Sequence, residues 1–122
     1  MLLEAAQDVI RRNHDALREN HTVGAALRCS SGRIYLGVNV YSLHGSCAEF
    51  VAIGSAIAAG EREFTALVCV RGAEGSEVLP PCGNCRQMLN DYASDCEVLI
   101  EGGSGLVAIP AQELLPFAYR VE

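Results

Sequence analysis

Cys96-Glu97-Val98-Leu99-Ile100-Glu101-Gly102-Gly103-Ser104-Gly105-Leu106-Val107-Ala108-Ile109 places two short apolar runs on either side of a Gly/Ser joint. Each run reads as a strand, and the joint is turn chemistry. Four residues can close an antiparallel hairpin, whereas a parallel crossover needs roughly a dozen or more. Strands 96–101 and 106–109 are therefore expected to be antiparallel. Immediately upstream, Pro80-Pro81 precedes a helix from about Gly83 to Tyr92, and a polar Gly/Glu loop covers 71–77. Phe64–Val70 is a third strand on this reading. Cys47 to Ala59 is a helix of small apolar residues, closed by Gly60 in the C′ position. Before it come a loop at 41–46 and two strand-like runs, Thr22–Cys29 and Arg33–Val40, joined by Ser30-Ser31-Gly32. Residues 2–18 carry Leu2, Leu3, Ala6, Val9, Ile10 and Leu17 near helical spacing, and Asn20-His21 ends that helix. Ala111–Leu115 adds a helical turn.

The order α-β-β-α-β-α-β-β-(α) is best buried as an α/β fold of three αβα layers. Helices would cover both faces of a mixed five-stranded sheet whose last two strands are antiparallel. At 122 residues the chain has room for one domain, spanning 1–122. Half of it is hydrophobic and 20% charged, enough to bury a core. The formal net charge of −6 and a pI near 5.0 speak against a phosphate-backbone binder, and Arg11-Arg12 is the densest basic pair. No nucleic-acid partner is therefore expected. No membrane partner is expected either, because no run reaches the ~18 apolar residues of a span. Glu4 and Asp8 interrupt the apolar start, so no secretory signal is expected. The reading is cytoplasmic, where the six cysteines stay reduced and metal binding or catalysis outranks a disulfide framework.

Two fragments carry chemistry: Cys47-Ala48-Glu49 and Pro81-Cys82-Gly83-Asn84-Cys85-Arg86-Gln87, each opening a helix. The C-x-x-C spacing of Cys82 and Cys85 lets two thiolates grip one ion from a single turn, with Cys47 the best third ligand. Helix N-termini stabilise thiolates, and Arg86 adds positive charge beside the pair. Three protein ligands leave a fourth tetrahedral position for water, the layout of a catalytic zinc site. Glu49, two residues after Cys47, can face that position and move protons without being a ligand. Two other readings stand beside this one. C-x-x-C also serves redox dithiols, and a structural Cys₄ site could recruit Cys29, Cys69 or Cys96.

Over nearly its whole length the sequence resembles the cytidine deaminase family. The matching pieces, in order, are Val23-Gly24-Ala25-Ala26-Leu27, Cys47-Ala48-Glu49, Pro81 through Gln87, and Leu114-Leu115-Pro116. Within the family it is most similar to the blasticidin S deaminase branch, through Gly32-Arg33-Ile34, Gly37 through Tyr41, and Leu79 through Leu89. The stretch between Tyr41 and Cys47 is one residue shorter here. The resemblance implies hydrolytic deamination of the 4-amino group of a cytosine-type nucleoside, with release of ammonia. It implies one Zn²⁺ per subunit on Cys47, Cys82 and Cys85, with Glu49 as proton shuttle. Cytidine or deoxycytidine deamination for pyrimidine salvage, or deamination of another amino-substituted heterocycle, is the alternative. The family's antiparallel final strand pair agrees with the hairpin argument.

The resemblance also implies substrate contacts. The Ala48 backbone N–H bonds the substrate carbonyl. Asn39-Val40-Tyr41-Ser42 stands where cytidine deaminases have Asn-x-Glu-Asn for the ribose, so Asn39 is retained and Tyr41 replaces the carboxylate. His21 falls where an aromatic residue faces the base. Tyr119, with Phe117, follows Leu114-Leu115-Pro116, where family members place an aromatic near a neighbour's active site. Phe50 replaces the family's Arg after the catalytic Glu, leaving Arg86 to modulate thiolate charge. A helix at 47–60 too apolar for solvent is buried against a sheet or another subunit, which points to an oligomer, and the resemblance implies a homotetramer.

Overall fold

The computed structural model describes residues 1–120. Helix α1 (Leu2–Asn13) buries Leu2, Ala6, Val9 and Ile10, one stripe at helical spacing. It stops well short of the expected residue 18. The Asn13 side-chain amide donates to the Val9 carbonyl, and Asp15 accepts the Arg18 N–H while its backbone pairs with Asn20. Side chains that bond nearby backbone offer the chain an alternative to helix, and here they win. Leu17, counted as part of the apolar stripe, lies exposed in that turn.

Strands β1 (Val23–Cys29) and β2 (Ile34–Val38) form the first hairpin, followed by the two-residue pair β3 (Val40–Tyr41) and β4 (Gly45–Ser46). Then come α2 (Ala48–Ala58), β5 (Phe64–Arg71), β6 (Glu77–Val78), α3 (Gly83–Tyr92), β7 (Glu97–Glu101), β8 (Leu106–Pro110) and a 3₁₀ turn at Ala111–Leu114. The main sheet runs β2-β1-β5-β7-β8, the five strands expected, with short β6 added beside β5. Among the described residues only the β5–β7 pairing is parallel. The β7–β8 pair is antiparallel in register Glu97↔Pro110 through Glu101↔Leu106, as the four-residue joint requires.

Strand alternation sorts the core onto two faces. Ala26, Ala66, Val68 and Val70 pack with α1, while Ala25, Leu27, Leu67 and Cys69 pack with α2 and α3 residues. Two glycines admit the helices. A Cβ at Gly24 would meet the Ala6 carbonyl of α1, and one at Gly37 would collide with the α2 backbone at Ala48 and Ala52. Helix α2 ends in a Schellman motif: the Gly60 N–H bonds Ile57 O, the Glu61 N–H bonds Ala56 O, and Gly60 adopts φ +98°.

The strand directions place the starts of two helices together. Strands β2 and β5 are each antiparallel to β1, so they point the same way. Helix α2 follows β2, and α3 follows β5. Both helices therefore begin at the same end of the sheet, and both pack on the same face.

Candidate active site

Cys47 is the N-cap of α2 and Cys82 the N-cap of α3, both with extended backbone. Cys85 is the third residue of α3, one turn above Cys82. The three sulfur atoms lie within 4.8 Å of one another, with Cys47 and Cys82 at 3.8 Å. Thiolates held at ~2.3 Å from a tetrahedral ion stand about 3.8 Å apart, so the donor set fits zinc in chemistry and spacing. Among the described residues this is the single group able to hold a metal.

The thiols differ in their surroundings. Partial burial pushes Cys82 up, but the backbone N–H groups of Cys85 and Asn84, together with the neighbouring thiols, pull it down further, and it ends below its ordinary value. This is the thiolate-stabilising effect of a helix N-terminus. Burial pushes Cys47 and Cys85 up, and the charge of Glu49 adds to both. A divalent cation held by Cys47, Cys82 and Cys85 would supply the compensating charge and favour all three as thiolates. Cys29, Cys69 and Cys96 are buried separately in the core, outside the trio, which leaves a Cys₄ site without its fourth ligand.

Beside the sulfurs lies a cavity of about 110 Å³, lined by Cys47, Ala48, Glu49, Cys82, Val23, Tyr41, Cys69, Leu79 and Pro80. Glu49 is the second residue of α2 and only 5% exposed. Being two residues from Cys47 in one helical turn, it faces the cavity without joining the sulfur cluster. The Ala48 N–H is among the first four of α2, which have no intrahelical acceptor and are free to bond a ligand. Cys69 is a cavity residue that the motifs do not indicate. It lies toward the carboxyl end of β5 on the α2 side, and burial plus the adjacent Glu49 carboxylate hold its thiol far above the usual range. Strand parity with Leu67 was the available signal, since positions two apart share a face.

The other expected residues divide. Tyr41 lines the cavity, and burial together with the neighbouring Cys47 and Glu49 pushes its hydroxyl above the ordinary value. Asn39, at 2% exposure, does not line it. The Asn39 Oδ1 accepts the Val23 N–H at 2.9 Å, and Nδ2 donates toward Thr22 Oγ1 at 3.4 Å. His21 bonds the Asn39 carbonyl through Nδ1 at 2.9 Å. A carbonyl only accepts, so Nδ1 carries the proton there. Arg86 donates to the carbonyls of Pro81 at 2.8 Å and Leu114 at 3.1 Å, tying the turn before Cys82 to the C-terminal segment. Gln87 donates to the Tyr119 carbonyl, and the Tyr119 side chain is 75% exposed, away from this chain's own cavity.

Comparison with known proteins gives the same assignment. The family model for the cytidine and deoxycytidylate deaminase zinc-binding region matches residues 1–100. Blasticidin-S deaminase of Bacillus cereus is 39% identical, the match covering 97% of this chain and 89% of that protein. The cytidine deaminase of Halalkalibacterium halodurans is 35% identical over 82% of this chain and 78% of its own. Among solved structures, cytidine deaminase from Burkholderia pseudomallei superimposes with a TM-score of 0.78 at 34% identity, covering 97% of this chain and 96% of that one. The Mycobacterium tuberculosis enzyme gives 0.80 at 30% identity, covering 99% and 96%. With three cysteine sulfurs gathered for one zinc and a buried glutamate beside them, this chain belongs to the cytidine and deoxycytidylate deaminase family of zinc-dependent hydrolases.

Proposed function

We propose that residues 1–122 form one deaminase domain that hydrolyses the 4-amino group of a cytosine-type nucleoside, with blasticidin S the first substrate to try and cytidine or deoxycytidine the second. The observation that carries this reading is the convergence of the Cys47, Cys82 and Cys85 sulfurs beside a cavity that Cys47, Cys82 and Glu49 line. The cavity's volume suits a single heterocyclic ring, so the base enters and its substituent stays at the rim. The match to blasticidin-S deaminase over nearly the full chain favours the first substrate. The matches to cytidine deaminases keep the second in view.

Cys47, Cys82 and Cys85 would hold zinc, which would supply Lewis acidity toward the attacking water. The chain's own residues do the rest. Ala48 offers its N–H to the ring carbonyl and fixes the base's orientation. The Glu49 carboxylate takes one proton from water as the oxygen adds to C4 and hands it to N3. It then moves the second proton to the exocyclic nitrogen, the C4–N bond breaks, and ammonia departs. Water supplies both hydrogens, so the product carries a carbonyl at C4 and a hydrogen on N3. Val23, Leu79 and Pro80 give the cavity an apolar side against which the ring can pack.

Tyr41 meets the substrate directly on this reading. Asn39 and His21 act from behind, through the backbone of Val23 and through Tyr41. Arg86 draws charge from the thiolates at a distance and holds the turn that carries Cys82. Release of ammonia from blasticidin S, cytidine, deoxycytidine and cytosine tests the assignment. Turnover of blasticidin S supports the first choice, and rapid turnover of cytidine with none of blasticidin S overturns it.

The assembly we infer is a homotetramer. The outer side of α2 leaves Gly54, Ser55 and Ala58 exposed with Phe50 and Ile57 half-buried, a smooth surface suited to another subunit. Tyr119, exposed on its own subunit, would then reach a neighbour's cavity. Light scattering should give about four times the 13.0 kDa chain mass, and a monomer at micromolar concentration would contradict this. The net charge of −6 argues against a nucleic-acid substrate. The free thiols suit a reducing, cytoplasmic location. No helix among the described residues is long and apolar enough to cross a membrane.

A further inference from the structure

The pair β3–β4 places Tyr41 directly opposite Gly45, with Val40 opposite Ser46. Across that pair the Tyr41 ring lies over the glycine so closely that a Cβ at position 45 would overlap ring atoms Cδ1 and Cε1. An aromatic side chain covering a cross-strand glycine is a recognised way of pinning a short, exposed strand pair. Here it also sets a functional surface. β4 runs straight into Cys47, so a ring drawn across Gly45 is drawn toward the site. Tyr41 accordingly lines the cavity while remaining 55% exposed, a wall on one side and solvent on the other.

We propose that Gly45 is a positioning residue for substrate selection: by leaving room for the Tyr41 ring, it fixes a neutral phenol at the cavity rim, and this determines which substituents on the aminopyrimidine are admitted. The proposal rests on the deaminase reading above. On that reading the cavity takes the base, and Tyr41 is one of the exposed lining residues past which a substituent on the ring would leave. An uncharged aromatic face with one hydroxyl suits a substituent that stacks and shares a hydrogen bond. Its chemistry differs from that of a rim carboxylate, which would bind a diol through two acceptors. Any side chain at 45 would swing the ring off the strand and change this rim without touching Glu49 or the sulfurs.

The test compares Gly45→Ala, Tyr41→Ala and the double variant with the wild-type protein, each loaded with zinc. Gly45→Ala should raise KM for the preferred nucleoside about tenfold, with a much smaller change in kcat, since uniform binding is what it disturbs. It should also alter the ratio of kcat/KM between blasticidin S and cytidine. In the Tyr41→Ala background the Gly45→Ala change should have almost no further effect, because the ring it displaces is gone. The Gly45 Hα resonances should be shifted upfield in the wild type by the overlying ring and return in Tyr41→Ala. Unshifted Hα resonances, or additive KM effects in the double variant, would overturn the proposal while leaving the deaminase reading intact. Shifted resonances in a zinc-loaded protein that deaminates none of the nucleosides would sink the deaminase reading, and the proposal with it.

Discussion

Glu49→Ala should lose 10²- to 10⁴-fold in kcat, the range that proton transfer by a positioned side chain contributes. The variant should keep its zinc and its fold. Glu49 is nearly buried, yet it is two residues from Cys47 and outside the sulfur cluster. Alanine suits the first turn of α2 and removes a carboxylate that burial makes costly. The loss therefore falls on chemistry, not on assembly of the site. Glu49→Gln is the companion, because it preserves size and hydrogen bonding while ending the ability to accept a proton. Both variants should show comparable losses, measured as ammonia release under saturating substrate, with metal content checked on the same samples. A Glu49→Gln enzyme within a few-fold of wild type would show that the carboxylate is not the proton carrier.

Cys85→Ser should abolish zinc retention and activity together. Cys85 is fully buried at the third position of α3, so no substitute ligand can swing in from solvent. Serine nearly preserves the volume, which isolates the loss of the sulfur from a packing defect. The remaining pair, Cys47 and Cys82, offers two ligands where a catalytic site needs three. Stability should fall as well. A ligand present at a thousand times its dissociation constant adds about 4 kcal/mol to the folded state, and removing it forfeits that amount. The denaturation midpoint of wild type should drop on treatment with a strong chelator and recover on adding zinc. Cys85→Ser should show the lower midpoint throughout and respond to neither. Full zinc occupancy or residual turnover in Cys85→Ser would refute the three-sulfur site.

Much of the fold was legible because its decisive features are local. The four-residue joint at 102–105 dictated an antiparallel pair, and β7–β8 forms it. Gly60 after a run of small apolar residues marked the C′ position, and the Schellman hydrogen bonds are there. The first helix ends before residue 18 for an equally local reason that periodicity does not register. Asn13 and Asp15 bond backbone groups that the helix would need, and Leu17 at helical spacing gave a false continuation. The second strand was read as continuous to Val40, yet Asn39 leaves the ladder and spends its amide on Val23 and Thr22. Nothing in the stretch Gly37-Val38-Asn39-Val40-Tyr41 specifies that partner. It comes from the neighbouring strand.

By itself the amino-acid order determined the ligand types, the glutamate two residues from one of them, the helix starts that carry all three sulfurs, and the alternating faces of the strands. These follow from spacing within a turn or a pleat, where covalent geometry leaves few choices. The tertiary structure alone decided that Cys47 and Cys82, 35 positions apart, would meet at 3.8 Å. It does so because β2 and β5 run the same way on either side of β1, and each delivers its helix to the same end of the sheet. The same packing turned Asn39 inward, brought Cys69 to the cavity wall and laid Tyr41 across Gly45. Such contacts join residues on different elements, and their geometry exists only once those elements have closed around a common core.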